Sequence, residues 1–422
     1  MKKEQECNDV RPAVFIHSSF RTGSTWLWSK FRENQGCYCY YEIFNEILAG
    51  INFRNILQSA ADWNSHHPRG APYFAEFSPL LDKADGIAGF DLEMAFDDFF
   101  LNSESDIDRI RRAEAYLASL VNLAQHNHKT PVLSCTRSIG RAKLIRESIG
   151  GTHILIRRSL LNQWFSYSHQ KLNGNNYFVN SIIHTVKAED GDTFILTLLD
   201  ILEDNQISED KFGEDDDTIL IVFLCLHIYL YAKYRDDFDV SIDFRNGSSR
   251  SDLDAATRLL TEVTQIRVDL SDYRETISAP DMLIRDADRV FSIVRSLFAK
   301  PISGIDEAKL RALVDEELAD FEQGYEEYCR IAGSAHAQLE AYAVERSRVE
   351  SSGNLAVEEL RTRLEAATGD LATATSAFRE TELAMQQDRG LLDEQMVGFA
   401  DRLQKLEIAL ERSSAIREGN ES

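Results

Sequence analysis

The sequence predicts an α/β fold, a parallel sheet flanked by helices, followed by an all-α tail with coiled-coil character. Three observations carry this. Short apolar runs alternate with amphipathic segments over the first two-thirds of the 422 residues. All but the last of these runs lead directly into a helical pattern. From about residue 354 to 412 there is no proline, and apolar residues recur at spacings of four and three.

Four strands are predicted, over residues 13–17, 131–135, 153–157 and 239–244. The first ends in a turn of small hydroxyl residues before a helix starting at Trp26, with Ser24 or Thr25 in position to cap it. The fourth passes through the turn-rich RNGSSRSD before a helix over 253–264, for which Ser251 or Asp252 is placed as N-cap. The most apolar stretch, ILIVFLCLHIYLYA at 219–232, contains His227 and has DDD and KYRDD on its flanks. It is shorter than the roughly 20 residues a membrane span needs, so it predicts a buried helix and no transmembrane segment.

Further helices are expected over 281–299 and 306–332, separated by the breaker KPISG. In the tail, Leu360, Leu364, Ala367, Leu371, Ala374 and Phe378 form one heptad series, and Leu392, Met396, Phe399, Leu403, Leu406 and Leu410 another. The two are half a heptad out of phase, which implies a register break near 385–390 and self-association or pairing with a partner helix. The plain alternative is one solvated helix folding back on the domain. The expected division is an α/β domain over 1–299, a helical connector over 300–349 and a long helix or coiled coil over 350–422.

Seventy acidic against 46 basic residues leave a net charge of −24, which argues against a nucleic-acid partner because phosphate neutralisation needs basic surface. Any anion must be held by a local site. The six cysteines form no CxxC pair and no regular framework, so neither structural zinc nor a disulfide scaffold is expected, and reduced thiols point to the cytoplasm. The N-terminal MKKEQECNDVRP lacks the apolar core of a secretory signal.

Two stretches carry the chemistry. In FIHSSFRTGSTWLWSKF, residues 15–31, an apolar strand ends in a turn with Gly23 and enters a helix. A helix N-terminus offers unpaired N–H groups and partial positive charge, and glycine lets an anion approach the backbone. Ser24 and Thr25 add hydroxyls, and Arg21 is suited to a bidentate bridge to two oxygens. The Walker pattern GxxxxGK[ST] does not occur, nor is there a strand-terminal aspartate to hold magnesium, so no metal is expected. In THILIRRSLLNQWFSYSH, residues 152–169, a strand runs into Arg157 and Arg158, and Ser166 follows Arg158 by about two helical turns. A strand-end arginine with a helix-borne serine can grip a second phosphate.

These residues resemble the sulfotransferase family that uses 3′-phosphoadenosine 5′-phosphosulfate (PAPS). FRTGSTWL is similar to its 5′-phosphosulfate loop in the carbohydrate and bacterial form, with arginine in place of lysine, and RSLLNQWFSY is similar to its 3′-phosphate motif. The resemblance covers roughly residues 12–275 and implies a P-loop-like sheet and PAPS as sulfuryl donor. It further implies that Arg21, Thr22, Gly23, Ser24, Thr25 and Trp26 hold the 5′ group and Arg158 and Ser166 the 3′-phosphate. The doubled arginine leaves Arg157 as the alternative to Arg158, which is preferred for its spacing to Ser166, and the Ser159-Leu160-Leu161 that follows departs from the family's usual proline or asparagine.

Sulfuryl transfer needs a base for the acceptor hydroxyl and positive charge for the leaving oxygen. Arg21 is placed for the second task. For the first, CYYEIFNE offers Glu42 and Glu46, and it resembles the stretch after the phosphosulfate loop of carbohydrate sulfotransferases, with Ile43 where proline is usual. His17 is a rival base, as is His169 with the same reservation that a lone histidine is more often structural. PYFAEFSPLL, with Glu76, is a candidate acceptor wall or a core-packing loop, and TRSIGRAKLIR offers Arg137 and Arg141 for an anion or as a solvated helix face. The function expected is transfer of a sulfuryl group from PAPS to a hydroxyl of a carbohydrate acceptor. The alternative is a non-catalytic nucleotide-binding scaffold acting through its tail; a nucleotide kinase is disfavoured by the missing lysine and metal aspartate.

Overall fold

A computed structural model describes residues 12–58, 72–82, 85–95, 107–188, 191–209, 217–245, 249–274 and 284–352, with parts of a helix between 363 and 380. Its centre is a five-stranded, wholly parallel sheet: β1 (Val14–Ser18), β2 (Cys37–Tyr40), β3 (Thr130–Cys135), β4 (Thr152–Arg157) and β5 (Val240–Asp243). Their spatial order is β2-β3-β1-β4-β5. Val14 aligns with Val132 on one side and Thr152 on the other, and Ile154 aligns with Val240. Every residue of β1 and β3 is buried, as central parallel strands covered on both faces require.

Four strands lie within a residue or so of where their apolar runs place them. β2 was not among the predicted strands: CYCY is a four-residue run whose strand character comes from its neighbour β3, with Cys37 set beside Thr130.

After β1 comes α1 (Ser24–Arg32), which crosses to β2; α2 (Ile107–His126) leads back to β3; α3 (Ala142–Ile149) joins β3 to β4. α2 turns Tyr116, Leu117, Leu120, Val121 and Ala124 inward at helical spacing, and the Tyr116 hydroxyl donates to the Ile43 carbonyl at 2.8 Å. Between β4 and β5 run α4 (Leu160–Leu172), α5 (Tyr177–Ala188), α6 (Thr193–Asp204) and α7 (Asp217–Lys233). α7 is buried from Asp217 to Tyr231 and packs against α6 and against α9 (Ala287–Phe298). That is why its sequence is apolar all round; no helix among the described residues is long and apolar enough to cross a membrane.

α8 (Arg250–Thr264) follows β5 and is capped by Ser249, whose hydroxyl accepts from the Asp252 N–H, so Ser251 and Asp252 lie inside the helix and the cap is two or three residues earlier than expected. α10 runs Glu307–Ser352. The chain divides into two units, Met1–Glu327 and Tyr328–Ser422, so the first turns of α10 belong to the α/β unit, beyond the expected boundary at 299. The reason is burial: Leu310, Leu313, Val314, Leu318 and Phe321 are all inside, at about 2 kcal/mol each relative to exposure. The heptad series fall almost entirely outside the described residues. Among the described cysteines, Cys37, Cys39, Cys135 and Cys225 are buried free thiols and Cys329 is an exposed one.

Candidate functional site

From β1 the chain crosses toward β2, and from β4 it crosses toward β5. The carboxyl ends of β1 and β4 therefore flank the point where the winding reverses, which is where open parallel sheets bind ligands. The two predicted motifs meet there. The loop after β1 holds Arg21 at φ 64° and Gly23 at φ 94°. Gly23 is the cap residue of α1, with no side-chain cap on the helix, and a Cβ built on it would meet nothing within 4 Å. The first turn of α1 thus begins at a glycine that leaves room for an approaching group, and neither Ser24 nor Thr25 is the cap, because α1 starts at Ser24 itself.

The loop is pinned from below. Thr22 Oγ1 donates to the Ser19 carbonyl at 3.0 Å, and Gln163 Nε2 on α4 donates to Ser19 Oγ at 2.7 Å and to the Phe20 carbonyl at 2.6 Å. These bonds hold Arg21 in a left-handed conformation that a non-glycine residue rarely adopts. Ser24 is buried, Thr25 Oγ1 lies 3.0 Å from the Tyr41 hydroxyl, and Trp26 packs edge-on against Phe244 and Tyr273 at 5.7 and 4.9 Å.

Arg158 Nη1 donates to the Arg21 carbonyl at 3.2 Å, and Arg21 Nε donates to Ser166 Oγ at 2.7 Å. Arg157 turns the other way, to Glu317 on α10. The Arg21 guanidinium lies over the Phe178 ring at 5.3 Å, and burial, then the like charge of Arg158, pull it below its ordinary value. The groups acting most strongly on Arg21 after burial are Arg158, Tyr167 and Tyr41, none of them a carboxylate. The half-buried Arg21 and the buried Arg158 thus set two positive charges side by side, an arrangement that can receive an anion. The Ser166 hydroxyl is buried beneath Arg21 and spoken for by it.

Glu42 follows Tyr41 and has φ 47°. Its Oε2 accepts from the Thr136 N–H at 3.2 Å and from Thr136 Oγ1 at 2.8 Å. Burial pushes this carboxyl up, against Arg137 and the two Thr136 bonds. Glu46 is more open, at 28% side-chain exposure, and its Oε2 accepts from Arg137 Nη2 at 2.6 Å. Arg137 also donates to the Phe44 carbonyl at 2.7 Å and meets the Tyr177 hydroxyl. Arg141 donates to the Met94 carbonyl and lies over Phe44 at 4.2 Å. Arg137 and Arg141 are fully buried, so these two do not form a solvated basic face: they tie loops together.

His17 is 1% exposed, with Nε2 2.9 Å from His153 Nδ1 and Nδ1 2.8 Å from Ser138 Oγ. Burial and His153 hold it well below its ordinary value, and with both ring nitrogens engaged inside the sheet it does not face the loop. His169 bonds Asn173 on its own helix end. Glu76 pairs with Arg32 through both carboxylate oxygens and, with Tyr38 and Lys129, lines a groove of about 390 Å³ at the amino end of β2. That places it at the end of the sheet opposite Gly23, not in a cleft shared with the loop. Sequence reasoning missed Thr136, Tyr41, Gln163 and Tyr177, since nothing in their local pattern marks them; only the strand order brings them to the loop. No protein-family model, no curated protein and no solved structure matches this chain.

Proposed function

We propose that the chain is a PAPS-dependent sulfotransferase with a P-loop-like domain, passing a sulfuryl group to a hydroxyl of a carbohydrate acceptor. One observation carries the reading: the two motifs, far apart in sequence, converge at the winding reversal through the Arg158–Arg21 and Arg21–Ser166 bonds, in front of a helix with no side-chain cap. PAPS supplies an activated sulfur whose leaving group is a phosphate. The N–H groups of the first turn of α1 receive that phosphate, and Arg21 neutralises the charge gathering on the bridging oxygen as the S–O bond breaks. Arg158 adds the second positive charge.

Glu42 is the base this arrangement favours. It takes the acceptor proton as the acceptor oxygen bonds to sulfur; burial raises its proton affinity, against the two Thr136 bonds that hold it in place. Glu46 is the weaker candidate because its carboxylate is already engaged by Arg137. His17 is bonded within the sheet. The tail, in this reading, serves self-association or a partner helix.

Calorimetry with adenosine 3′,5′-bisphosphate against ATP, followed by incubation with labelled PAPS and a glycan extract, tests the proposal. Arg158→Ala and Ser166→Ala should each weaken bisphosphate binding and the rise in melting temperature that accompanies it. Binding without transfer would favour the scaffold alternative. Preference for ATP, or wild-type binding by both variants, would overturn the proposed site.

A further inference from the structure

The loop that carries Arg21 is supported by a chain of contacts that ends on α10. Glu317, 1% exposed, accepts from Arg157 Nη2, and Arg245 Nη1 lies 3.3 Å from the same oxygen. Arg245 is further held by Asp243 at 2.8 Å and Glu316 at 2.6 Å. The Arg157 guanidinium lies 4.9 Å over the ring of Tyr231, whose hydroxyl is 3.4 Å from Ser19 Oγ. Ser19 accepts the same Gln163 amide that holds the Phe20 carbonyl. From Glu317 to the residue before Arg21, each member touches the next.

We propose that Glu317 is a positioning residue for the anion site: by holding Arg157 against Tyr231 it sets the Ser19–Gly23 loop from below and leaves Arg158, the next residue, to turn toward Arg21. A doubled arginine at a strand end has two similar cations competing for one anion. Glu317 separates the two by supplying Arg157 with an internal carboxylate, while Arg158 bonds the Arg21 carbonyl. The long helix thereby becomes part of the site's support, and its first turns connect the segment leading to the tail with the loop. The loop geometry is the same whatever the ligand, while the effect on affinity rests on the proposed function.

Hydrogen exchange on the full chain, without ligand, tests this. Glu317→Asp keeps the charge and withdraws it by one methylene. The double variant R157M/E317L replaces the ion pair with apolar groups, an exchange that commonly preserves stability. Both should speed exchange of the amides over 19–24 by about tenfold, while the strands β1 and β3 exchange as in wild type. Glu76→Gln, at the other end of the sheet, should leave 19–24 unchanged. Unchanged loop exchange in both Glu317 variants, or exchange that rises equally across loop and sheet, overturns the proposal by making Glu317 a general structural residue. Adenosine 3′,5′-bisphosphate should bind both variants about tenfold more weakly, and wild-type chain that binds none counts against the sulfotransferase reading while the exchange result still decides the role of Glu317.

Discussion

The two ends of the sheet treat arginine in opposite ways. At the amino end, Arg32 reaches Glu76 through two bonds at 2.7 and 3.1 Å, and its plane also lies 4.9 Å over Trp28. Charge meets charge within the chain, and the unit is closed. At the carboxyl end, Arg21 and Arg158 lie together with a serine hydroxyl, a backbone carbonyl and an aromatic face for company, beside a glycine-capped helix start. Positive charge is gathered there beside the start of α1, and in the proposed reading an anion meets it. Burial makes this costly, and so does the left-handed conformation of Arg21, which is how functional sites commonly differ from structural ones.

The largest test of that contrast is Glu42→Gln. The amide keeps the shape and still accepts from Thr136, but it takes no proton, so turnover should fall by about 10³-fold with bisphosphate affinity within about twofold of wild type. If Glu46→Gln were the more damaging change, the base would move to Glu46. Next, Arg21→Ala should lower turnover by about 10²-fold while weakening the ground state less, because the α1 amides remain, and Arg21→Lys should recover part of the loss. Steady-state kinetics beside calorimetry reads both; an affinity loss equal to the turnover loss would reduce Arg21 to a binding group.

A smaller effect concerns pH. Burial places the folded-state value of Glu42 above its unfolded one, so the folded chain holds that proton more tightly. Its contribution to stability is then fully present below the unfolded value and is lost as pH rises through the folded one. Glu42→Gln does not titrate, so its melting temperature should gain on wild type as pH rises from about 4 to about 7. A constant difference across that range would mean that Glu42 is not held as a buried carboxyl. The smallest effect belongs to the closed end: Glu76→Gln should cost about 1 kcal/mol in urea unfolding and leave bisphosphate affinity unchanged, and a change in affinity would break the contrast itself.

Much of the architecture was legible along the chain because it is local. The buried strands β1, β3 and β4 are continuous apolar runs, and α7 is apolar on every side because every side is covered. The turn with Gly23 and the Arg158-to-Ser166 spacing were visible for the same reason, since cradle and grip are each contained in one strand-to-helix junction. What the sequence did not reveal depends on which junction lies beside which. Strand order alone makes CYCY a strand, sets Thr136 on Glu42, and buries Arg137 and Arg141, for which the sequence left an anion contact and a solvated face both open.

Arg157 and Arg158 are the sharpest case. By themselves they are two identical cations in a row, and the spacing to Ser166 merely prefers one. Tertiary structure separates them, because α10 returns to the strand end with Glu317 for the first and the β1 loop offers the Arg21 carbonyl to the second. Periodicity and turn chemistry act over a few residues and so are written in order along the chain; the partner of a charge is chosen by packing between distant segments, and no local pattern encodes it.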